Sequence, residues 1–437
     1  METLTPADPP PTPVTTNDRF TFKNVFRKLG PGLITGASDD DPSGIATYSQ
    51  VGAQFGYGML WTMVFSYPLM AAIQEISARI GRVTGGGIAA NIRRYYPKQV
   101  LFAVVPLLLV ANIFNLGADL GAMGAAFQLI ARGSLALYVV LFGLFSLFLQ
   151  MFVPYTKYVR YLKWLTLALF AYVATALVAH VSWTQVIRGT FVPSFLSQTG
   201  FFTALIAVLG TTISPYLFFW QAAQEVENVK TNDLEQPLKR SPRQAAGQLL
   251  RIKVDTYIGM ALSNLIAFFI IVTTAATLHV HGMVNVETST QAAAALEPFA
   301  GHFAFGLFAL GIIGTGLLAV PVLAGSAAYG VGEALKWRAS LEYKPAQAPR
   351  FYWTLAVATL IGLALNLVGI NPIKALFLSA VINGVVAAPI MAMVMLLAAN
   401  PKAMGTFTLP MPLKVMGWLA TAVMLIASVG MFLTLGK

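Results

Sequence analysis

Residues 30–56 read GPGLITGASDDDPSGIATYSQVGAQFG. Small and apolar residues run through this stretch for longer than the about 20 positions that a helix needs to cross a bilayer. Asp39, Asp40 and Asp41 nevertheless sit near its middle, followed at once by Pro42, Ser43 and Gly44. One charge at bilayer depth costs at least about 2.5–3.5 kcal/mol on insertion scales, so three in a row demand water, a cation or protonation. Pro42 removes a backbone donor, and Ser43 with Gly44 lets the chain leave helical geometry. Carbonyls freed by such a break coordinate cations beside carboxylates in transporters. The competing reading is a kink at the membrane surface with a solvated acidic cap. The apolar residues on both sides weigh against it.

Working outward, 57% of the 437 residues are hydrophobic and 10% are charged, against about 25% charged in soluble domains. The chain is expected to be an all-α polytopic membrane protein. Residues 1–29 are polar and Pro-rich, the composition of a disordered cytoplasmic tail and not of a cleavable signal peptide. Residues 30–437 then form one transmembrane domain. With no cysteine, disulfides and thiolate metal ligation are excluded.

Eleven hydrophobic segments of spanning length follow, at about 31–56, 58–80, 101–131, 134–153, 158–180, 200–225, 251–279, 299–332, 351–369, 373–398 and 413–435. With the N-terminus cytoplasmic, every one of the 28 basic residues except Arg132, Arg188, Lys374 and Lys437 falls on the cytoplasmic side. That asymmetry is the positive-inside signal of a multi-pass cell (inner) membrane protein. It also accounts for the net charge of +11, so the basic residues set topology and no nucleic-acid partner is implied.

A broken first helix calls for a second one five segments later, because inverted repeats place one interrupted helix in each half. Residues 201–227, FFTALIAVLGTTISPYLFFWQAAQEVE, carry Gly210, Thr211, Thr212, Ser214 and Pro215 in mid-span, with Tyr216 next. The two repeats are expected at about 31–180 and 200–398, with segment eleven an addition.

Three stretches carry a family resemblance: GPGLITGASDDDPSG at 30–44, QEISARIGRVTGGGIA at 74–89 and GTTISPY at 210–216. They resemble the Nramp family of divalent metal transporters, with its first-helix Asp-Pro-Gly-Asn motif, its sixth-helix Met-Pro-His motif and its LeuT-like fold. The resemblance covers all eleven segments. It implies two inverted five-helix repeats plus an eleventh helix, with Asp41 as the metal-binding Asp and Pro42 as the motif Pro. Pro215 falls on the sixth-helix Pro, and Asp119 in NLGADLGAMG matches an acidic residue of the third helix.

The departures bear on selectivity. Gly44 stands where the family has Asn, Ser214 where it has the metal-binding Met, and Tyr216 where it has the motif His. Gln221 replaces a further sixth-helix His, and Ala122 replaces a second acid after Asp119. A thioether selects softer metals, whereas oxygen donors suit Mg²⁺, Ca²⁺ or Mn²⁺. Mg²⁺ also keeps several waters around one or two carboxylates. The pattern resembles the Nramp-related magnesium transporters more than the proton-coupled branch. Asp41 is then the primary ligand, with Asp39 and Asp40 supplying outer charge or an entry vestibule. Carbonyls around Ser43, Gly44, Thr212 and Ile213, and the Ser214 hydroxyl, add oxygens directly or through water.

Proton coupling asks for groups that titrate near neutrality, His above all. His180, His279, His281 and His302 all fall at the extracytoplasmic ends of segments. Asp119 either bonds a neighbouring helix or carries a proton, and Tyr216, Gln221 and Asn383 are further polar candidates along a path. Asn112, Asn115 and Asn264 fit either a path or interhelical hydrogen bonds, and Glu75 with Arg79 is spaced to pair within one helix. The expected function is import of Mg²⁺, or Mn²⁺, by alternating access without proton coupling. A proton-coupled manganese importer and a cation channel are the alternatives. The metal is cargo, no resident cofactor is expected, and the oligomeric state stays open, a monomer included. HExxH, GxSxG and P-loop motifs are absent, which argues against an enzyme or an ATP-driven pump.

Overall fold

A computed structural model of the chain describes residues 36, 38–162, 164–194 and 200–434, without the side chains of Tyr155, Thr156, Tyr158 and Arg160. The expected tail at 1–29 lies outside the described residues. The described chain is helical, and proline and capping residues set where its helices begin. Helix α1 (Pro42–Phe55) starts with Pro42 in its first turn, where a missing N–H costs nothing. Helix α2 (Trp61–Thr84) ends on Gly85 at φ 70°, whose N–H returns to the Gly81 carbonyl. Then come α3 (Ile88–Tyr95), α4 (Lys98–Gln128), α5 (Leu135–Phe152), α6 (Tyr155–Leu162), α7 (Phe170–Val178) and α8 (Trp183–Phe191). The second half holds α9 (Phe201–Thr212), α10 (Pro215–Thr231), α11 (Ala245–Thr277), α12 (Ala304–Ala334), α13 (Pro349–Leu365), α14 (Pro372–Ala399) and α15 (Met411–Thr434).

Among the described residues, eight helices are long and apolar enough to span a membrane. The single span expected at 158–180 is instead made of separate pieces, α6 ending at Leu162, a short 3-10 stretch at Leu165–Leu169 and α7 at Phe170–Val178. Residues Leu165–Val178 and Trp183–Phe191 form a pair bent by 120°, because the backbone turns extended at Ala179 (φ −67°, ψ 155°). Helix α2 has the length of a span but buries Gln74, Glu75 and Arg82, and the first half of the first helix lies largely outside the described residues. Glu75 and Arg79 pair at 2.8 Å, as their spacing predicts.

Side-chain contacts sort the loops into two ends. Arg82 meets Glu235, Arg93 meets the Glu333 carbonyl, and Lys239 meets the carbonyls of Lys402 and Ala403. These contacts join most of the basic loops into one face. At the opposite end Gln50 bonds Val284 and Val286, Ser194 bonds Gly58, and Lys374 pairs with Glu287. The segregation that charge counting predicts is therefore a property of the folded chain.

Helices pack closely where glycines remove the side chain. A Cβ on Gly210 of α9 would lie 2.1 Å from the Ala380 carbonyl oxygen, and one on Gly384 of α14 would lie 2.5 Å from the Ile206 oxygen. Both would strike backbone, which cannot rotate away. Small-residue contact of this kind drives helix association in lipid, where apolar burial gains little. Gly384→Leu is expected to cost more than the about 1–3 kcal/mol of ordinary overpacking. The monodisperse fraction in detergent and its thermal midpoint check this, and a wild-type midpoint would refute tight α9–α14 packing.

Candidate cation site at the two helix breaks

The first break is built by three consecutive aspartates that point different ways. Asp41 is extended (φ −69°, ψ 168°), the conformation that a following proline imposes, and so it serves as the N-cap of α1. Its Oδ1 accepts hydrogen bonds from Gly44 N at 2.8 Å and Ser43 Oγ at 2.7 Å. Its Oδ2 accepts one from Asn115 Nδ2 of α4 at 2.9 Å. Asp39 and Asp40 turn instead toward α11, where Ser263 Oγ lies 2.8 Å from Asp39 Oδ2 and 2.9 Å from Asp40 Oδ1. A hydroxyl has one proton to donate. It serves one of these carboxylates at a time, and the other needs a proton or a cation.

The second break repeats the first. Ser214 is extended before Pro215 (φ −76°, ψ 131°), and α10 starts on that proline. The Ser214 hydroxyl turns back toward the Gly210 and Thr211 carbonyls at 2.8 and 2.9 Å. It thus caps the end of α9, leaving only its lone pairs for a ligand. Thr212 Oγ1 likewise turns to the Val208 carbonyl, while among the described residues no turn hydrogen bond ends on the Thr212 or Ile213 carbonyl. Tyr216 donates its O–H to the Ser38 carbonyl at 3.0 Å and so ties the second break to the first. Gly44 lies where a Cβ would sit 3.0 Å from Thr211 Oγ1 and 3.5 Å from the Asp39 carbonyl oxygen. A larger residue here would project into the space between the two breaks.

Several buried oxygen atoms near the breaks lack a donor. Asp39 Oδ1, Asn115 Oδ1, both Asp119 oxygens and Asn383 Oδ1 are buried with no hydrogen-bond partner of good geometry. The Asp119 carboxyl lies near the Ser43 amide and feels the Asp41 charge. Buried acceptors of this kind are costly unless something electropositive meets them. Among the described residues, no three acidic or imidazole side chains converge on one point. The breaks thus present one or two carboxylates with amide and carbonyl oxygens, a donor set that suits a partly hydrated hard cation.

Asp41, Ser43, Gly44 and Asp119 are brought together, with Thr212, Ile213 and Ser214 on the facing break. Asp39 and Asp40 are 1% and 3% exposed and rest against α11, so they do not line an open vestibule. Gln221 is buried two turns along α10 from Ser214, about 10 Å at helical rise. Asn383 stands beside Gly384, against α9. Sequence reasoning missed Ser263, although its signal was present: Ser263 and Asn264 are adjacent polar residues inside the apolar run of α11. Ser263→Ala should raise the half-saturating cation concentration by about tenfold, the lower end of the scale of losing an outer-shell partner. Uptake titrations check this, and an unchanged value would remove Ser263 from the site.

The chain ends of these elements are closed by ion pairs on the basic side. Arg82, fully buried, meets Glu235 at 2.5 Å, and Arg251 meets the buried Glu225 at 2.5 Å.

Comparison with known proteins agrees with this architecture. A family model described as natural resistance-associated macrophage protein-like, Nramp, matches residues 32–434. The chain belongs to the Nramp family. This Nramp chain is a multi-pass membrane transporter of a family that moves metal ions, and it is not an enzyme. It is 26% identical over 411 residues to the divalent metal cation transporter MntH of Klebsiella pneumoniae (strain 342), covering 93% of this chain and 94% of the relative. Among solved structures it resembles a mutant form of the Eremococcus coleocola manganese transporter at a TM-score of 0.75 and 19% identity, over 94% of this chain and 87% of that one. It also resembles Mhp1, a nucleobase-cation-symport-1 family transporter in a closed conformation, at a TM-score of 0.56 and 15% identity, over 93% and 92% of the two chains. The fold is thus the expected LeuT-like one.

Proposed function

We propose that this Nramp chain imports a divalent cation, Mg²⁺ or Mn²⁺, by alternating access to a site between the two helix breaks. The observation that carries the reading is the surplus of buried oxygen acceptors around Asp41, Asn115 and Asp119. The relatives named for manganese and for divalent metal cations support the charge class of the cargo. Ser214 in place of a thioether favours a hard ion, one that oxygen donors and retained water suit. Asp41 binds the ion. Its contacts with Gly44 N, Ser43 Oγ and Asn115 Nδ2 fix the carboxylate, so little is reorganised on binding.

Access alternates by opening either end of the bundle. The Arg82–Glu235 and Arg251–Glu225 pairs would part to release the ion on the basic side. That side is cytoplasmic, and the membrane is the cell's inner membrane, by the positive-inside rule. The negative-inside potential then drives import, each charge gaining about 2.3 kcal/mol per 100 mV. Uptake of Mg²⁺ and Mn²⁺ into proteoliposomes tests the function, and a rate that saturates with concentration separates a carrier from a channel.

The second reading, a proton-coupled manganese importer, rests on Asp119, whose buried carboxyl lacks a partner of good geometry. The Tyr216 O–H is engaged with Ser38, and no histidine of α9 or α10 stands at the breaks. Cation uptake is therefore expected without stoichiometric proton flux. A pH dye inside liposomes at clamped potential measures it. Acidification that scales with uptake and vanishes in Asp119→Asn would establish the second reading instead.

A further inference from the structure

A groove of about 400 Å³ opens on the outside of the bundle between α4, α12 and α13, away from the helix breaks. Its floor and walls are apolar, with Leu109 and Ile113 from α4 and Ile361 from α13, and its mouth holds Trp337, Arg350 and Trp353. The Arg350 guanidinium lies 5.6 Å from the Trp337 ring centroid, and Trp353 is 68% exposed. From Arg350 to Ile361 the groove follows α13 for about 16 Å at helical rise. That is half of the about 30 Å hydrocarbon core, the depth of one leaflet.

We propose that this groove is a binding site for one anionic phospholipid, its phosphate on Arg350 and one acyl chain along α13. Three features select this occupant. The site is charged at one end only, and that end belongs to the face where the basic loops gather. Loop 335–348 behind the mouth adds Lys336, Arg338 and Lys344 against Glu342 alone. Among the described residues, none of these three cations nor Arg350 is in an ion pair, so their charge is left for an anion. Tryptophans at span ends, here the exposed Trp353 and the partly buried Trp337, mark the headgroup level of a membrane protein, which places Arg350 at phosphate depth and Ile361 near the midplane. Basic pockets between membrane helices on this side capture anionic headgroups. The apolar length below the mouth accounts for a lipid where a soluble anion would need no groove.

Native mass spectrometry of the full chain in detergent tests the site with phosphatidylglycerol and phosphatidylcholine of identical acyl chains. Wild type should retain phosphatidylglycerol preferentially, and Arg350→Ala should reduce that preference by about fivefold, the effect of one basic residue near a lipid surface. Thr354→Trp, which fills the groove from α13, should lower retention of both lipids. Arg188→Ala, at the opposite end, should change nothing. Equal retention of the two lipids by wild type, or an undiminished preference in Arg350→Ala, would overturn the proposal. So would displacement of bound lipid by excess inorganic phosphate, which would make the site a simple anion site. A dimer that replaces the lipid-bound monomer would assign the groove to a second copy and overturn it as well.

Discussion

Asp41→Asn is expected to cut cation uptake in proteoliposomes by more than the about 10–100-fold that loss of an outer-shell partner costs. The substitution isolates charge from structure. Asp41 both caps α1 and offers the carboxylate that faces Asn115, and asparagine caps helices as well as aspartate does. The Asn side chain therefore keeps the Gly44 N–H and Ser43 O–H bonds through its carbonyl oxygen, and Asn115 turns its amide so that its Oδ1 accepts from the new Nδ2, while the charge that offsets cation dehydration is gone. Asp41→Ala should lose uptake to the same extent and also lose about 0.5–2 kcal/mol of stability through the missing cap. Comparing the two variants in a thermal-shift assay separates the roles. Wild-type uptake in Asp41→Asn would remove the site from the first break. Asp39→Ala and Asp40→Ala should be milder, raising the half-saturating concentration first, because both carboxylates rest on Ser263.

Ser214→Met should turn the preference of the site toward soft ions. In the wild-type chain, millimolar Mg²⁺ is expected to compete with Mn²⁺ uptake, and Cd²⁺ should hold no large advantage, because the second break offers a hydroxyl and carbonyls. A thioether at residue 214 should strengthen Cd²⁺ competition on the order of tenfold and weaken that of Mg²⁺. The structure adds one control. Met123 of α4 packs its sulfur against Gly316 of α12, whose Cβ position is 3.4 Å from the Pro42 ring. Met123→Leu in the wild-type background should leave the competition unchanged. If Mn²⁺ uptake in wild type ignores a large Mg²⁺ excess, the argument from hard donors fails.

Most of this protein's architecture was legible in its sequence, because the bilayer leaves few choices. A chain with 57% hydrophobic residues must satisfy its backbone inside helices when it crosses lipid. Proline then marks where those helices break. Pro42 and Pro215 each open the second half of a broken helix, and each forces the residue before it into extended geometry. The basic residues declared which loops share an end, and Glu75 with Arg79 announced its own pairing through local spacing.

What the tertiary structure alone decided is which way each polar side chain turns once the helices meet. Asp39, Asp40 and Asp41 are neighbours in sequence, yet the chain leaves helical geometry within the triplet, so two aspartates face Ser263 and the third faces Asn115. The partners come from 74 and more than 220 positions away, a distance over which periodicity carries no information. The bend after Val178 was hidden for a related reason. Residues 158–180 are apolar enough for one span, and nothing in their composition marks the 3-10 stretch at Leu165–Leu169 or the extended backbone at Ala179 that ends α7. Composition and proline thus determine the helices and their breaks, while the absence of a side chain at Gly210 and Gly384 decides how closely α9 and α14 meet.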